Sequence, residues 1–543
     1  MSTPVSRWYP GMAITAGRLQ YMLEVALTGG SVINVASYGV VGDGSADDAA
    51  AIQLALNAAR DRGGAQVLVP PGVYLIGQTL RIYGNTRLTL REGAEFRRNV
   101  AATMLINGDA GQAFGGYTGH SRITIEGGLW NMRGTTAGLT ASAMCISIGH
   151  ATDIVIRDLE VRDLPGFHAI ELNSTNHALV TNCQFRGYVD PGGRDFSEAI
   201  QIDLAKSAAV FGGFGPYDHT ETKDVTITGC HFGGSDTAGT TPWPRGIGSH
   251  SATIGKRHRR IRIANCSFEN VVQYAISAYN WEDVTITGNT FVSCGGGVRL
   301  RSVIVSDPED TKDVNGNATG ASQDMKNISI VGNSFRSGGS YDNAIVAYGE
   351  TTGQILGVTI VGNVIDGTTG GQSGLRLYRV ERAVVNGNIV ANTAGTNIST
   401  EAVNNAVVIG NSIIFGGAHG ITMVDSNNSN ILDNQVRDPW SSGILVQGGT
   451  DIQIRGNFVD GANRGNTSAY GIRVSTNPAG VAISGNKCRP GGSSTKAVRG
   501  LSISSGTSIH RFGNDMRGTW SGSGGTGIED ASTSPNTTAT DIQ

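Results

Sequence analysis

Residues 283–289 read DVTITGN, and close variants of this heptapeptide recur along the chain. Aliphatic and polar residues alternate in each copy, which is typical of a β-strand with one buried face. The other copies that end on asparagine are NISIVGN at 327–333, GVTIVGN at 357–363, DIQIRGN at 451–457 and GVAISGN at 480–486. Two earlier copies, DVTITGC at 224–230 and RIRIANC at 260–266, end on cysteine instead.

The spacing of these copies sets the length of the repeat. Asn388, Asn411, Asn434 and Asn457 follow one another at intervals of 23 residues. This period is too short for a propeller blade and is typical of one coil of a solenoid. A second pattern, small–aliphatic–x–aliphatic–x, lies between the copies. It occurs as CISIG at 145–149, AIELN at 169–173, AIQID at 199–203, GIGSH at 246–250, AISAY at 275–279, GVRLR at 297–301, AIVAY at 344–348, GLRLY at 374–378, GITMV at 420–424, GILVQ at 443–447 and GIRVS at 471–475.

Two strand types per coil, stacked in register, predict an all-β fold: a right-handed, single-stranded parallel β-helix. The inward aliphatic residues would form a continuous core, and the repeated asparagine would form a hydrogen-bonded ladder between coils. An antiparallel barrel is the alternative, but the steady coils lack the turn signals of hairpins. The six cysteines, from Cys145 to Cys488, lack CxxC spacing, so we interpret them as reduced core residues.

Four regions differ in pattern. We predict an N-terminal attachment segment at 1–30, the start of the β-helix with a capping helix at 31–110, the β-helix with a substrate groove on its middle coils at 111–505, and a Ser/Thr/Gly-rich tail at 506–543. The capping helix begins near Ser45 or Asp47 and ends at Gly63. A helix there would shield the open edge of the first coil from pairing with another chain.

Charge and hydropathy exclude some classes of function. The formal net charge is −3 with 41 Lys and Arg, whereas nucleic-acid binding needs a basic footprint. The one basic run, Lys256–Arg260, is interpreted as a solvated turn. No stretch approaches the ~20 apolar residues that span a bilayer. The first 30 residues lack the pattern of a secretory signal, so we expect a protein that stays inside the cell or leaves it by lysis.

Alignment of the coils maps one outer surface, because equivalent positions of successive coils lie ~4.8 Å apart. The outward positions of the middle coils are rich in acids, amides, histidine, tyrosine and arginine, whereas those of the later coils are bland. The polar ones are Glu171 and Asn173, Gln201 and Asp203, His250, Tyr279, Arg299 and Arg301, Tyr348, and Arg376 with Tyr378. Long insertions flank this stripe and would bring Tyr217, Asp218, His219 and Trp243 over it. The pattern predicts a carbohydrate cleft; the alternative is an ordinary polar sheet face whose charges neutralise one another.

The distances between carboxylates restrict which two acids could form a catalytic pair. Glu198 and Asp203 are roughly 16 Å apart on an extended strand, which exceeds the ~5–9.5 Å of paired glycosidase carboxylates. Glu198 could instead form an ion pair with Arg245. Glu171 and Asp203 are about 8 Å apart between Cα atoms, which suits an acid and a water-activating base.

Two further groups could join this pair. Asp218 could replace either carboxylate if its loop folds back, and His250 could orient Asp203 or relay a proton. Arg299 and Arg301 would bind an anionic group of the substrate. The remaining predicted substrate contacts are Gln201, Asn173, Arg245, His219, Tyr217, Tyr279, Trp243, Tyr348 and Arg376. No resident metal or other cofactor is predicted, although a divalent cation held by Asp203, Asp218, His219 and His250 is an open alternative.

Three stretches resemble known families. Residues 33–76, which begin INVASYGVVGDGSADDAAAIQLALNAA, resemble the opening segment of pectate-lyase-superfamily β-helix proteins, common in phage tail spikes. PGMAITAGRLQ at 10–20 is similar to the starts of phage tail and appendage proteins. Residues 198–252, with EAIQID, YDHTETKDVTITGCHF and RGIGSHSA, resemble β-helix appendage proteins of phages of Gram-positive bacteria, which degrade teichoic acid or related glycans.

The resemblance of residues 198–252 implies a set of site residues without assigning their roles: Glu198, Gln201, Asp203, Asp218, Arg245 and His250. The adjacent-Asp and Gly-His-Gly motifs of polygalacturonases are absent from the sequence, and so is the calcium-binding arrangement of pectate lyases. These departures count against pectin hydrolysis and against elimination chemistry.

We therefore expect a phage tail-spike or appendage depolymerase that hydrolyses teichoic acid or a capsule-like polysaccharide. Asp203 with Glu171 or Asp218 would be its acid–base pair. The resemblance implies a homotrimer located on the virion tail, joined to other virion proteins through the N-terminus. The alternatives are a receptor-recognition spike that binds glycan without cleaving it, and a free pectin or plant-polysaccharide hydrolase.

Overall fold

The computed structural model describes residues 32–208, 215–492, 494–533, 535–537 and 540–543. They form a right-handed parallel β-helix whose three sheets contain 18, 16 and 16 strands, which confirms the predicted fold class. Each coil has three strands instead of the two predicted. The additional strand is short, such as Thr290–Val292 directly after Asn289. Three residues carry too little alternation to stand out in a sequence. The predicted attachment segment, 1–30, lies outside the described residues.

The first sheet contains the strands of the asparagine-ending repeat. Its strands are Val32–Asn34, Ala65–Val69, Thr86–Leu90, Ile123–Glu126, Thr152–Arg157, Asn176–Thr181, Lys223–Thr228, His258–Ala264, Trp281–Thr287, Met325–Val331, Ile355–Val361, Val380–Asn386, Val407–Ile409, Asn427–Leu432, Thr450–Arg455, Ala482–Ser484, Ile509–Phe512 and Pro535–Thr537.

The second sheet contains the short strands that follow the asparagines. Its strands are Asp43–Asp47, Gly72–Ile76, Ala94–Arg98, Leu129–Asn131, Glu160–Pro165, Gln184–Val189, His231–Gly233, Ser267–Glu269, Thr290–Val292, Ser334–Gly338, Val364–Thr368, Ile389–Ala391, Ser412–Ile414, Gln435–Arg437, Phe458–Asp460 and Lys487–Arg489.

The third sheet contains the small–aliphatic pattern and the polar stripe. Its strands are Leu80–Ile82, Leu105–Asn107, Ile146–Gly149, Ile170–Asn173, Glu198–Asp203, Arg245–Gly248, Tyr274–Tyr279, Gly296–Arg301, Ile345–Tyr348, Leu375–Tyr378, Ile398–Glu401, Ile421–Val424, Ile444–Gln447, Ile472–Ser475, Leu501–Ile503 and Ile528–Asp530.

A helix closes the N-terminal end of the solenoid, as predicted. A 3-10 helix, Val35–Tyr38, precedes the α-helix Ala49–Asp61, whose Ile52 and Leu56 are fully buried. The side chain of Asp47 accepts a hydrogen bond from the backbone N–H of Ala49 at 3.1 Å, which satisfies one free donor of the first turn.

The predicted ladder runs inside the turn between the first and second sheets. Asn388 Nδ2 donates to Asn411 Oδ1 at 3.0 Å, and Asn411 Nδ2 donates to Asn434 Oδ1 at 2.9 Å. The ladder comprises Asn289, Asn333, Asn363, Asn388, Asn411, Asn434, Asn457, Asn486 and Asn514, and it ends on Asp541. Cys183, Cys230 and Cys266 are buried at the equivalent positions, and all six cysteines are free thiols. Each buried amide thus satisfies its neighbour.

Two regions differ from the sequence interpretation. The described parts of the tail at 506–543 continue the coils, since Ala482 pairs with His510 and Leu501 pairs with Ile528. The basic run also lies partly in a strand, where Arg259 pairs with Glu221 at 2.6 Å and Arg260 pairs with Asp224 at 2.5 Å. No helix in the described part of the chain is long and apolar enough to cross a membrane.

Candidate functional site

A cavity of about 750 Å³ opens on the outer face of the third sheet, over the strands from Leu80–Ile82 to Glu198–Asp203. Ser147, Glu171 and Gln201 occupy one register position on three successive strands and line the cavity. This register is the one that the coil alignment predicts. The polar stripe of the middle coils therefore contributes one wall of a concave site.

The insertions predicted to flank the stripe form another wall. Lys206 follows the strand that ends at Asp203, and Asp310 belongs to the loop after Arg301. Their Nζ and Oδ1 atoms form an ion pair at 2.9 Å, and both residues line the cavity. Asp310 also accepts a hydrogen bond from the backbone N–H of Ala252 at 2.9 Å. The two insertions are thus fastened to each other and to the sheet.

Glu171 is the buried acid of this cavity. Ser147 Oγ donates to its Oε2 at 2.5 Å, and Asn173 Nδ2 donates to its Oε1 at 2.9 Å. Burial disfavours the carboxylate and raises the pKa of Glu171 to about 7, although both hydrogen bonds act in the opposite direction. Glu171 can therefore carry or release a proton near neutral pH.

His250 lies beside Glu171 and forms a pair with Glu198. The Nδ1 atom of His250 is 2.8 Å from Glu198 Oε2, and because a carboxylate only accepts, the Nδ1–H donates. Burial disfavours the imidazolium, but the charge and hydrogen bond of Glu198, together with the charge of Asp203, outweigh this and raise the pKa of His250. Its Nε2 atom lies 3.4 Å from the Nε2 of Gln201, which donates to it when the imidazole is neutral. The arrangement fixes the tautomer of a titrating histidine.

Glu198 remains ionised because cations surround it. Arg245 Nη1 lies 3.2 Å from Glu198 Oε1, as the predicted ion pair requires. Burial alone would raise the pKa of Glu198, yet His250 and Arg245 lower it well below its usual range. A Cβ on Gly248 would lie 3.2 Å from Glu198 Cγ, so the missing side chain leaves room for this glutamate.

Glu198 is the first residue of the strand Glu198–Asp203. Its side chain joins the cluster through His250 and Arg245. His168, on the preceding coil, donates from Nδ1 to the Glu198 carbonyl oxygen at 2.8 Å and stacks on His250. Burial lowers the pKa of His168 to about 3 and keeps it neutral.

Asp203 is fully buried and is not part of the cavity lining. Its Oδ1 accepts from Ser251 Oγ at 2.5 Å and from the Leu204 N–H at 2.9 Å, and its Oδ2 accepts from Gln201 Nε2 at 3.1 Å. Burial raises the pKa of Asp203 to about 6. Asp203 therefore orients Gln201, and His250 binds Glu198 rather than orienting Asp203.

Several residues of the cavity were absent from the sequence prediction, among them Arg81, Phe167, Arg194 and Phe196. The guanidinium of Arg194 lies 4.9 Å from the ring centre of Phe167 and 4.7 Å from that of Phe196, and Arg81 lies on another side of the cavity. Phe167, Arg194 and Phe196 occupy corners between the second and third sheets. The coil alignment covered strands alone and so missed them. An aromatic residue just before successive third-sheet strands is the signal that could have found them.

Two predicted aromatic contacts are wrong. Trp243 is fully buried in the core with its ring centre 5.3 Å from that of Tyr188, and does not overhang the stripe. Burial of so large an apolar surface outweighs exposure in a loop. Tyr279 is 2 % exposed and donates from its hydroxyl to Asp310 Oδ2 at 2.8 Å. It anchors the loop after Arg301 beneath the surface.

The loop with Tyr217, Asp218 and His219 turns away from the cavity, and none of the three residues lines it. Asp218 Oδ2 accepts from the Gly116 N–H at 2.7 Å, and His219 Nδ1 lies 2.9 Å from Thr253 Oγ1. Partial burial would raise the pKa of Asp218, but hydrogen bonds from the Gly116 backbone and from the Thr220 side chain and backbone outweigh it and lower the pKa. Asp218 therefore does not fold back over the catalytic candidates.

The predicted arginines and tyrosines of the later coils each contact a neighbouring side chain. Arg301 pairs with Glu350, and Arg376 Nη2 lies 3.3 Å from Glu401 Oε2. Arg299 donates to Ser277 Oγ at 2.7 Å. The hydroxyl of Tyr348 lies 3.2 Å from Asp342 Oδ1. None of these four predicted residues lines the cavity.

The described residues do not bring together the set proposed for a divalent cation, namely Asp203, Asp218, His219 and His250. The one group with suitable geometry is His168, Glu198 and His250, whose donor atoms lie within 4.8 Å of one another. Their donors already serve one another, because His250 and Arg245 occupy both carboxylate oxygens of Glu198. The site is complete as a hydrogen-bonded cluster.

Fold and site define a class: a right-handed parallel β-helix with a concave acid–histidine site on its middle coils. Residues 32–299 match the family model described as rhamnogalacturonase A/epimerase, pectate lyase-like. Residues 301–491 and 361–538 match the model described as periplasmic copper-binding protein (NosD). The chain carries a pectate lyase-like β-helix domain, as the resemblance of residues 33–76 implied.

Individual proteins share this fold. The chain is 28% identical over 446 residues to plasmin and fibronectin-binding protein A of Streptococcus pneumoniae, which covers 75% of this chain and 57% of that relative. A solved structure of that surface protein and adhesin has a TM-score of 0.59 at 24% identity, covering 76% of this chain and 99% of the other. Pre-mature gene product 12 of bacteriophage phi29 has a TM-score of 0.53 at 17% identity, covering 92% and 64%. The chain thus spans 57% of the length of its curated relative.

Proposed function

We propose that this protein hydrolyses an acidic bacterial surface glycopolymer, with Glu171 and His250 as its acid–base pair. The observation that carries the proposal is the cavity, in which a protonatable carboxyl and a carboxylate-bound imidazole face the same space. Concave sites in which burial and neighbouring charges shift pKa values are where acid–base chemistry is expected. The pectate lyase-like domain supports a glycan as the ligand.

Glu171 and His250 supply one proton donor and one proton acceptor. Hydrolysis needs a proton on the leaving oxygen and a base that activates water. Burial raises the pKa of Glu171 to about 7, so this carboxyl exchanges protons near neutral pH, and Glu198 raises the pKa of His250. Glu198 stabilises the imidazolium and orients the ring. Asp203 acts through Gln201 and is a positioning residue in this mechanism.

Basic groups of the cavity favour an anionic polymer. In the described part of the chain, Arg81 donates to the Gly108 carbonyl and Arg194 donates to the Gly166 carbonyl, and neither guanidinium pairs with a carboxylate. Arginine at such a position presents two parallel donors to a carboxylate or phosphate group. Arg299 and Arg301, which were predicted to bind the anionic group, do not line the cavity. We therefore assign binding of the anionic group to Arg81 and Arg194.

The proposal includes a narrower assignment: teichoic acid or a capsule-like polysaccharide as the polymer, and a homotrimeric phage tail spike as the carrier. It is supported by the resemblance of residues 198–252 to phage appendage proteins. A solution mass three times that of the chain, measured by light scattering, tests the trimer. A monomeric mass would count against the tail-spike assignment.

A second candidate is a binding protein that adheres to a surface without cleaving it. The similarity to plasmin and fibronectin-binding protein A supports this candidate. The two candidates differ in product, since only a hydrolase releases soluble fragments from an envelope.

The decisive experiment incubates the protein with purified wall teichoic acid, capsule polysaccharide and polygalacturonate and follows new reducing ends or phosphomonoesters. We expect Glu171→Gln to lower turnover by about 10²–10⁴-fold, as for loss of a general acid or base. Glu401→Gln, an exposed acid of the same sheet outside the cavity, is the matched control and should keep wild-type turnover. Equal turnover by both variants would contradict the proposal, and unsaturated ultraviolet-absorbing products would indicate a lyase.

A further inference from the structure

The corner between the second and third sheets carries a second arginine–aromatic cluster, far from the cavity. The guanidinium of Arg464 lies 5.5 Å from the ring centre of Phe415 and 5.3 Å from that of Trp440. In the cavity, Arg194 lies between Phe167 and Phe196 in the same way. Both aromatic pairs come from two successive coils, so the two clusters have the same architecture.

The clusters lie on one line along the solenoid. Phe196 precedes the third-sheet strand that starts at Glu198, and Trp440 precedes the strand that starts at Ile444. Eight inter-strand steps separate these two strands. At ~4.8 Å per step, the clusters lie roughly 40 Å apart on the same edge. Tyr341, 49 % exposed, precedes a strand midway between them.

The distal cluster is open to solvent and fixed in place. Phe415 and Trp440 are each 44 % exposed, unlike the aromatic rings of the core. A Cβ on Gly465 would lie 2.2 Å from the Trp440 ring, so the indole packs directly on backbone. Adjacent exposed rings on a rigid element mark interaction sites.

The chemistry of the cluster fits a sugar better than a simple anion. Among the described residues, Arg464 forms no ion pair and donates from Nε to the Asp438 carbonyl oxygen at 3.1 Å. Asp438 lies near enough to offset its charge, since burial raises the pKa of Asp438 and the charge of Arg464 acts in the opposite direction. Flat rings with an adjacent donor suit the apolar face and hydroxyl groups of a pyranose.

We infer that Phe415, Trp440 and Arg464 form a distal binding site for the same polymer that enters the cavity, with Tyr341 between the two sites. The inference rests on the proposed function for the identity of the polymer. A chain that spans both sites gains affinity from simultaneous contact, whereas a fragment shorter than roughly 40 Å contacts one site at a time.

The test measures binding of long and short fluorescent fragments of wall teichoic acid, polygalacturonate and neutral dextran to Glu171→Gln protein, which should not cleave them. In that background we expect the Phe415→Ala/Trp440→Ala pair to weaken binding of long fragments at least tenfold and to leave short fragments unchanged. Arg464→Gln should give a smaller loss of the same kind. Phe512→Ala, which removes an equally exposed ring from the first sheet, is the control and should change neither.

Three outcomes would overturn the inference: equal weakening for long and short fragments, unchanged binding of both, or no polymer retained by the starting protein. A change of solution mass in the double variant would show instead that the patch joins copies of the chain. Failure of the proposed hydrolysis is read separately, from product release by the wild-type protein. Length-dependent binding can therefore survive a negative cleavage assay.

Discussion

The middle coils, residues 146–250, and the distal coils, residues 388–486, share three sheets and one type of core but differ in what covers their outer face. Glu198 and its register partner Arg245 are 47 residues apart, whereas Ile398 and Ile421 are 23 apart. The extra residues of the middle coils form the insertions over the cavity and bury Glu171 and Glu198 completely. The number of residues per coil, rather than the strand sequence, distinguishes the outer face that carries the cavity from the outer face of the distal coils.

Burial changes how much the loss of one partner of an ion pair lowers the free energy of unfolding. Substitution of one glutamate in each region tests this. We expect Glu198→Ala to destabilise the protein by about 3–5 kcal/mol, because it leaves Arg245 and His250 buried without their anion. Glu401→Ala, which removes the 42 % exposed partner of Arg376, should cost at most about 1 kcal/mol. Urea unfolding followed by circular dichroism measures both. Similar losses of stability would show that Glu198 is as accessible to solvent as Glu401.

The asparagine ladder gives the distal coils their regularity, and its removal should have the next largest effect. Asn434 bonds Asn411 and Asn457 on the neighbouring coils, so Asn434→Ala leaves buried donors and acceptors unsatisfied at about 1–3 kcal/mol. Asn386→Ala, at an exposed end of a first-sheet strand in the same region, is the matched control and should be near neutral. A shift of the unfolding midpoint for Asn434→Ala alone is the expected result. Equal shifts would mean that the ladder is incidental to stability.

The two regions should also differ in how the stability of the fold depends on pH. Folding raises the pKa of Glu171 from 4.5 to about 7, so the native state binds this proton more tightly than the unfolded state. Its contribution is present below about pH 4.5 and is lost as pH rises to about 7, a decline of about 3 kcal/mol. Asp203, raised from 3.8 to about 6, acts in the same direction.

Glu171→Gln should therefore flatten the stability–pH profile between pH 4.5 and 7, measured as urea midpoints across that range. Glu401→Gln should keep the wild-type slope. A wild-type profile that stays flat or rises with pH across that window would contradict the raised pKa of Glu171, because the lowered pKa of Glu198 changes stability mainly below pH 4.5.

The register of the third sheet could be predicted because it follows from the core pattern. Inward aliphatic residues at every second position permit one pairing, since a slip of one residue would place them in solvent. Hence Glu171 opposite Gln201 and Asn173 opposite Asp203 were predictable. The corner residues have no such constraint. His250 follows the strand that ends at Gly248, and its bond to Glu198 depends on how two corners turn.

The sequence alone determined the solenoid, its coil length, the asparagine ladder and the strands that face the site, because these arise from local alternation repeated many times. The tertiary structure decided which polar groups share the cavity. It buried Asp203 away from the cavity, placed Trp243 in the core, and brought Glu171, His250, Glu198 and Arg194 together across coils. The physical reason is that pKa values and access depend on burial, and insertions set burial at positions that no repeat encodes.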